Sequence, residues 1–173
     1  MKAIARARAY ADGVTVQDGL SAAELSAWRT FLRAHATVTR RLEAELVAEH
    51  ELPLASYDVL VQLSEAPRGA LRMTELADRV LLSRSGLTRL ADRLERDGLL
   101  TREACPSDAR GTLAVLTDAG LAKLEEAWRT HRRGVAEHVT GKLTGAEVAQ
   151  LGELLGKLVD DGPLPEDACD GKR

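Results

Sequence analysis

Aromatic residues make up only 3% of this 173-residue chain, as two Trp, two Tyr and one Phe. So few rings leave no succession of stacking platforms for single-stranded nucleic acid. Cysteine is scarcer still. Cys105 and Cys169 stand far apart and outside any CxxC or Cys/His ligand spacing, so no disulfide framework is implied. No apolar run approaches the roughly 18 to 20 residues of a membrane span, and the basic residues near the start are not followed by the apolar stretch of a secretory signal. The expected location is the cytoplasm, without membrane contact. A Ser-His-Asp arrangement, a Gly-rich phosphate loop and HExxH are absent, which argues against an enzyme. No cofactor or metal is implied either, because His35, His131 and His138 have no cysteine or paired acid at ligand spacing.

An excess of positive charge is also missing. The formal net charge is -3, which excludes a protein that coats DNA through global charge. The distribution is uneven, however: Arg68 to Arg110 holds 9 Arg against 7 acids, and no Lys. Arg suits bidentate contacts with phosphate and guanine.

What is abundant favours helices. Ala, Leu, Arg and Glu dominate, and a 45% hydrophobic content allows one core, or one core and an oligomer interface. Residues 1–20 contain Gly13 and Gly19 and little periodicity, so a mobile arm or a short extra helix is expected; Arg6 and Arg8 leave a minor-groove arm open. Ser21 and Glu24 form a capping box for a long amphipathic helix over 21–50, carrying Leu25, Trp28, Leu32, His35, Thr39, Leu42 and Leu46. Ser56 can cap a second helix that stops at Pro67-Arg68-Gly69, and Thr74 can cap a short third one.

After Leu81 and Leu82, Ser83 caps a fourth helix that runs to about Asp97 and ends at Gly98. So short a connection makes a helix-turn-helix. Leu87, Leu90, Ala91 and Leu94 form the buried stripe of this helix, and Ser85, Thr88, Arg89, Asp92 and Arg96 the opposite face, flanked by Arg84 and Arg93. Short hydroxyls and Arg near an N-terminal end suit a helix inserted in a major groove, whereas an ordinary solvated face usually carries Glu-Lys pairs. Strands over Leu99–Glu103 and Thr112–Leu116 flank a polar tip and make a hairpin in the position of a wing, with Arg110 at its tip facing backbone or minor groove. Thr117 caps a fifth helix with Leu121, Leu124, Trp128, His131, Val135 and His138. Thr144 and Glu147 box a sixth with Val148, Leu151, Leu154, Leu155 and Leu158, which ends before Gly162. The expected fold is mainly α: a winged helix-turn-helix over 54–116 with a two-stranded wing, helices over 117–162, and a polar tail over 163–173.

The run LSRSGLTRLADRLERDGLL from Leu82 to Leu100, DARG from Asp108 to Gly111 and LTDAG from Leu116 to Gly120 resemble the MarR family of bacterial transcriptional regulators. The order of elements over residues 22 to 160 agrees. The resemblance implies a homodimer joined by its first and last helices, binding a pseudo-palindromic double-stranded DNA operator, most often as a repressor. It implies that Ser85, Thr88 and Arg89 read bases or adjacent phosphates with Arg84 and Arg93 nearby, that Arg110 is the wing contact, and that Asp108 stiffens the wing. Asp92 is expected to orient Arg89, Arg96 or a wing Arg rather than face phosphate. Gly86 departs from good helix propensity, costing about 1 kcal/mol relative to Ala.

The resemblance further implies a small phenolic or anionic effector between the dimerisation helices and the winged helix. Trp28, His35, Tyr57, Trp128 and His131 are the candidates for lining that site, although Trp and His at such positions are more often core or interface residues. Cysteine-based redox sensing at Cys105 is an alternative, beside Arg102 and Arg110, against the simpler reading of an exposed passive thiol. A winged-helix module that binds protein and no DNA is the remaining rival.

Overall fold

The computed structural model describes residues 19–105 and 108–159, with the side chains of residues 108–110 excepted. Residues 1–18 of the expected arm over 1–20, the tail with Cys169 and the wing tip at 106–107 lie outside the described residues. Two compact units are distinguished, Met1–Val38 and Thr39–Arg173. The helix α1 (Ala22–His50) contains the point of division.

In the first unit the capping box forms as expected. Glu24 N donates to Ser21 Oγ at 3.2 Å, and Ser21 N donates to the Glu24 carboxylate at 2.6 Å. These bonds hold the Glu24 carboxyl below its ordinary pKa. Trp28 and Phe31, three residues apart, stack with centroids 5.9 Å apart. Both rings remain exposed, as does Leu32.

The second unit continues with α2 (Leu54–Glu65), a tight turn at Pro67–Gly69, β1 (Ala70–Arg72), α3 (Met73–Arg79), α4 (Arg84–Arg96), β2 (Leu100–Cys105), β3 (Asp108–Leu116), α5 (Asp118–His138) and α6 (Gly145–Gly156). The sheet has three antiparallel strands in the order β1-β3-β2, where the sequence suggested two. Three residues are too few to show an alternating pattern, yet Leu71 pairs with Ala114 and both are buried. Arg68 and Gly69, at φ +59° and +67°, turn the chain into that strand.

Two expected caps are corrected. Pro53, not Ser56, precedes α2, and the N–H of Leu54 is satisfied by Glu43 of α1. Arg72 precedes α3 without a side-chain cap, which places Thr74 inside the first turn. In both cases the element begins one or two residues earlier than the nearest hydroxyl.

One apolar cluster joins α2, β1, α3, α4 and the sheet through Val59, Leu63, Leu71, Leu76, Leu87, Leu94, Leu100 and Ala114. A second joins Leu46, Leu52, Tyr57, Leu60, Leu124 and Ala127. The buried row of α5 differs from the expected one: Gly120, Leu124, Ala127, Thr130 and Gly134 are inside, whereas Leu121 and Trp128 are exposed. Two positions of this row are glycine because neighbours approach too closely there for a side chain. A Cβ at Gly134 would lie 2.6 Å from both Leu42 Cδ2 and Glu45 Oε2. The Thr144–Glu147 capping box opens α6 as expected, but the helix ends at Gly156 and buries none of its residues.

Candidate nucleic-acid interface

The local chemistry of α4 fixes its orientation. Ser83 Oγ accepts from Gly86 N at 3.1 Å, closing the first turn. Behind it Leu82 N donates to Ala77 O at 3.0 Å, so the turn from α3 is tied to the preceding helix. Leu87, Leu90, Ala91 and Leu94 are all buried, and this leaves Arg84, Ser85, Thr88 and Arg89 together on the exposed face. Thr88 Oγ1 donates to Arg84 O at 2.9 Å, which consumes its proton and leaves its oxygen able to accept. A helix of 13 residues is about 20 Å long, and its diameter of about 10 to 12 Å matches the width of a B-DNA major groove.

The other expected site residues occupy different surroundings. Arg93 Nη2 donates to Ser56 Oγ at 3.0 Å, joining α4 to α2. Ser56 is 1% exposed, so this bond satisfies a hydroxyl that water does not reach. Both side chains line a cleft of about 420 Å³ with His50, Pro53, Asp97 and Lys123. Asp92 takes the third of its expected partners, a wing arginine: Arg102 Nη1 lies 2.8 Å from Asp92 Oδ1. Arg102 also bonds Glu95, and holds that carboxyl below its ordinary pKa. Asp108 and Arg110 lie on β3, and their side chains are outside the described residues.

Cys105 is corrected from an exposed thiol to a buried one, 3% exposed. A register shift between Ala104 and Cys105 breaks the alternation of β2 and turns Cys105 inward.

Of the five residues considered for an effector site, Tyr57 and His131 come together, stacked at 4.5 Å between centroids. Tyr57 is 2% exposed, and burial, reinforced by Asp58 and Glu65, pushes its pKa up to about 12. Burial holds His131 below the ordinary histidine pKa. Trp128 stays exposed along a groove with Val61, Leu124 and Arg129. Trp28 and His35 belong to the first unit, where both are exposed.

Two features escaped the sequence reading. Arg102 was legible only as one of the wing arginines open to Asp92, and its second partner Glu95 was missed, although Asp92 and Glu95 share the flank of α4 that a following strand would meet. His138 does have an acidic partner, Glu45, but 93 positions separate the two. Among the described residues no group of three His, Cys, Asp or Glu side chains is arranged to hold a metal ion, and no helix is long and apolar enough to cross a membrane.

The family model described as MarR family matches residues 50–111. The HTH-type transcriptional regulator YkoM of Bacillus subtilis (strain 168) is 32% identical over 133 residues, 77% of this chain and 84% of YkoM. The multiple antibiotic resistance protein MarR of Escherichia coli (strain K12) is 31% identical over 119 residues, 69% of this chain and 81% of MarR. The chain belongs to the MarR family. This MarR-family protein is therefore a transcriptional regulator and not an enzyme. Among solved structures, Sco3205, a MarR family transcriptional regulator from Streptomyces coelicolor in complex with DNA, has 36% sequence identity and a TM-score of 0.76. The match covers 85% of this chain and 98% of Sco3205. The mainly α, winged-helix architecture thus agrees with the family in sequence and in three dimensions.

Proposed function

We propose that this MarR-family regulator represses transcription by binding a pseudo-palindromic operator as a homodimer, with α4 in the major groove and the β2-β3 wing on the adjacent backbone or minor groove. The carrying observation is the division of α4, with four apolar side chains buried and Arg84, Ser85, Thr88 and Arg89 exposed together. That face offers two guanidinium groups and two hydroxyls, the groups that bond guanine, adenine and phosphate edges. The complex of the relative Sco3205 with DNA supports the same partner. Arg89→Ala is expected to relax sequence preference, and Arg110→Ala to weaken binding to all duplexes; equal losses on all sequences from both changes would refute this division.

The dimer is supported by apolar side chains that a single chain leaves in water. In the first unit Trp28 is 54% exposed beside Phe31, and in the second unit Leu158 is 72% exposed with Leu154 and Val159. Exposed apolar groups clustered in this way, on α1 and at the end of α6, favour a partner. Sedimentation of the full chain should give twice the monomer mass, and Leu154→Lys with Leu158→Lys should shift it toward monomer and weaken operator binding.

We assign the effector implied by the family to the cleft that contains Arg93, Ser56, His50 and Lys123. Arg93 and Lys123 offer cationic partners to a small carboxylate beside the acids Glu51 and Asp97, and Arg93 belongs to α4. Benzoate titrated onto the operator complex should release wild-type protein and not Arg93→Met; equal release of both would remove the cleft from consideration.

A further inference from the structure

The guanidinium of Arg102 sits between two carboxylates of α4. Nη1 lies 2.8 Å from Asp92 Oδ1, while Nε and Nη2 donate to Glu95 Oε2 at 2.9 and 2.5 Å. The backbone N–H of Arg102 donates to the other oxygen, Glu95 Oε1, at 3.1 Å. One bond would restrain only a distance, whereas four bonds from one residue restrain both the separation and the rotation of β2 against α4. Two carboxylates around one cation leave an excess of negative charge, so Arg102 is already occupied and poorly suited to hold a phosphate. It nonetheless lies beside the surface assigned to DNA, lining a cleft with Arg72, Thr74, Thr88, Gly111 and Thr112. Beyond it the hairpin runs to the tip, with Arg102 paired to Ala114 and Ala104 to Thr112.

We propose that Arg102 is a positioning residue for DNA recognition, which uses Asp92 and Glu95 to set the angle between wing and recognition helix without itself touching DNA. The inference rests on the DNA-binding function proposed above. With α4 seated in a major groove, only one wing angle lets the hairpin meet the neighbouring groove. Fixing that angle before binding removes an ordering cost from the complex that matches both elements. The side chains of the clamp are 30 to 47% exposed, and ion pairs so open to water contribute little to folding, so the main effect of the clamp falls on recognition.

The test uses the full chain and the operator selected by it from random duplex DNA. Arg102→Met is expected to bind that operator about tenfold more weakly, a loss comparable to one mismatched base pair. Affinity for random duplex should stay within about twofold and the salt dependence should be unchanged, because no phosphate contact is lost. A hydroxyl-radical footprint should lose the outer protections of the wing and retain those of α4. The exchange Glu95→Arg with Arg102→Glu should restore part of the operator affinity. Loss on both DNAs together with a salt slope reduced by about 1 would make Arg102 a direct phosphate ligand and overturn the proposal, as would an unchanged operator affinity and footprint. Should Arg102→Met fail to fold, Asp92→Asn, which keeps the Glu95 bonds, is expected to lose operator preference in the same direction, and an unaltered preference would overturn the proposal. A wild-type protein that selects no sequence at all defeats the proposed function itself, and this outcome is seen before any variant is made.

Discussion

Gly120 shows how closely α5 is set against the hairpin, and replacing it with alanine has a calculable consequence. The added Cβ would lie 2.0 Å from the carbonyl oxygen of Leu99 and 2.8 Å from Leu116 Cδ1. Carbon–oxygen contacts settle at about 3.3 to 3.6 Å, so helix and strand must separate by more than roughly 1 Å. The Leu99 carbonyl also accepts from Thr117 N at 3.3 Å, and that bond would be strained by the same movement. Overpacking of this kind costs about 1 to 3 kcal/mol, and a weakened hydrogen bond about 1 kcal/mol. Against this, alanine gains about 1 kcal/mol of helix propensity over glycine. The expected net loss is about 2 kcal/mol in urea unfolding at fixed protein concentration, a condition needed because dimerisation is linked to stability. Gly152 is the control: a Cβ there meets nothing within 4 Å, so Gly152→Ala should gain about 0.5 to 1 kcal/mol. A Gly120→Ala protein as stable as wild type, or a shift of the same sign in both variants, would refute the close-approach argument.

Three further outcomes are expected. A double-mutant cycle on Ser56→Ala and Arg93→Met should show coupling of about 1 to 2 kcal/mol, since Arg93 Nη2 satisfies a buried hydroxyl; strict additivity would mean that the bond contributes nothing. Burial lowers the pKa of His131, so the folded state binds a proton less readily than the unfolded chain. Its contribution is present above about pH 6.5 and is lost as pH falls below it. His131→Phe should therefore flatten the acid limb of the unfolding midpoint, and an identical acid limb in both proteins would exclude His131 as its source. Leu81 occupies the turn between α3 and α4 at φ +54° and is 92% exposed. Asn tolerates that conformation better, and Leu81→Asn should raise the unfolding free energy in urea by roughly 0.5 to 1 kcal/mol, whereas a lowered one would show that the leucine is held by contacts its exposure does not suggest.

Much of the fold was readable because local signals agreed with one another. Ser83, the row Leu87, Leu90, Ala91 and Leu94, and Gly98 each point to the same helix with the same buried face, and α4 has these bounds and this burial. The boxes at Ser21 and Thr144 were legible for the same reason. What was hidden depends on partners distant in sequence. β1 exists because β3 accepts it, and three residues carry no periodic signature of their own. The buried row of α5 escaped because it is made of Gly120, Ala127, Thr130 and Gly134, which a search for large apolar residues passes over. The exposed face of α4 could be assigned from its residue types, and a wing arginine was among the expected partners of Asp92, but which arginine it is and where Arg93 and Glu95 turn could not be assigned. Arg93 turns to Ser56, 37 positions away, and Asp92 and Glu95 close on Arg102 of the strand that follows.

The central claim is that α4 and the wing of two chains read one operator. Its most direct test is selection from random duplex DNA with the purified full chain, followed by titration of the winning site at several salt concentrations. The expected result is a pseudo-palindrome whose half-sites are centred about 10 bp apart, bound with an affinity that falls steeply with salt. Failure to enrich any sequence above non-specific binding, with no dependence on the Arg89 side chain, would contradict it and favour a winged helix that docks on protein instead.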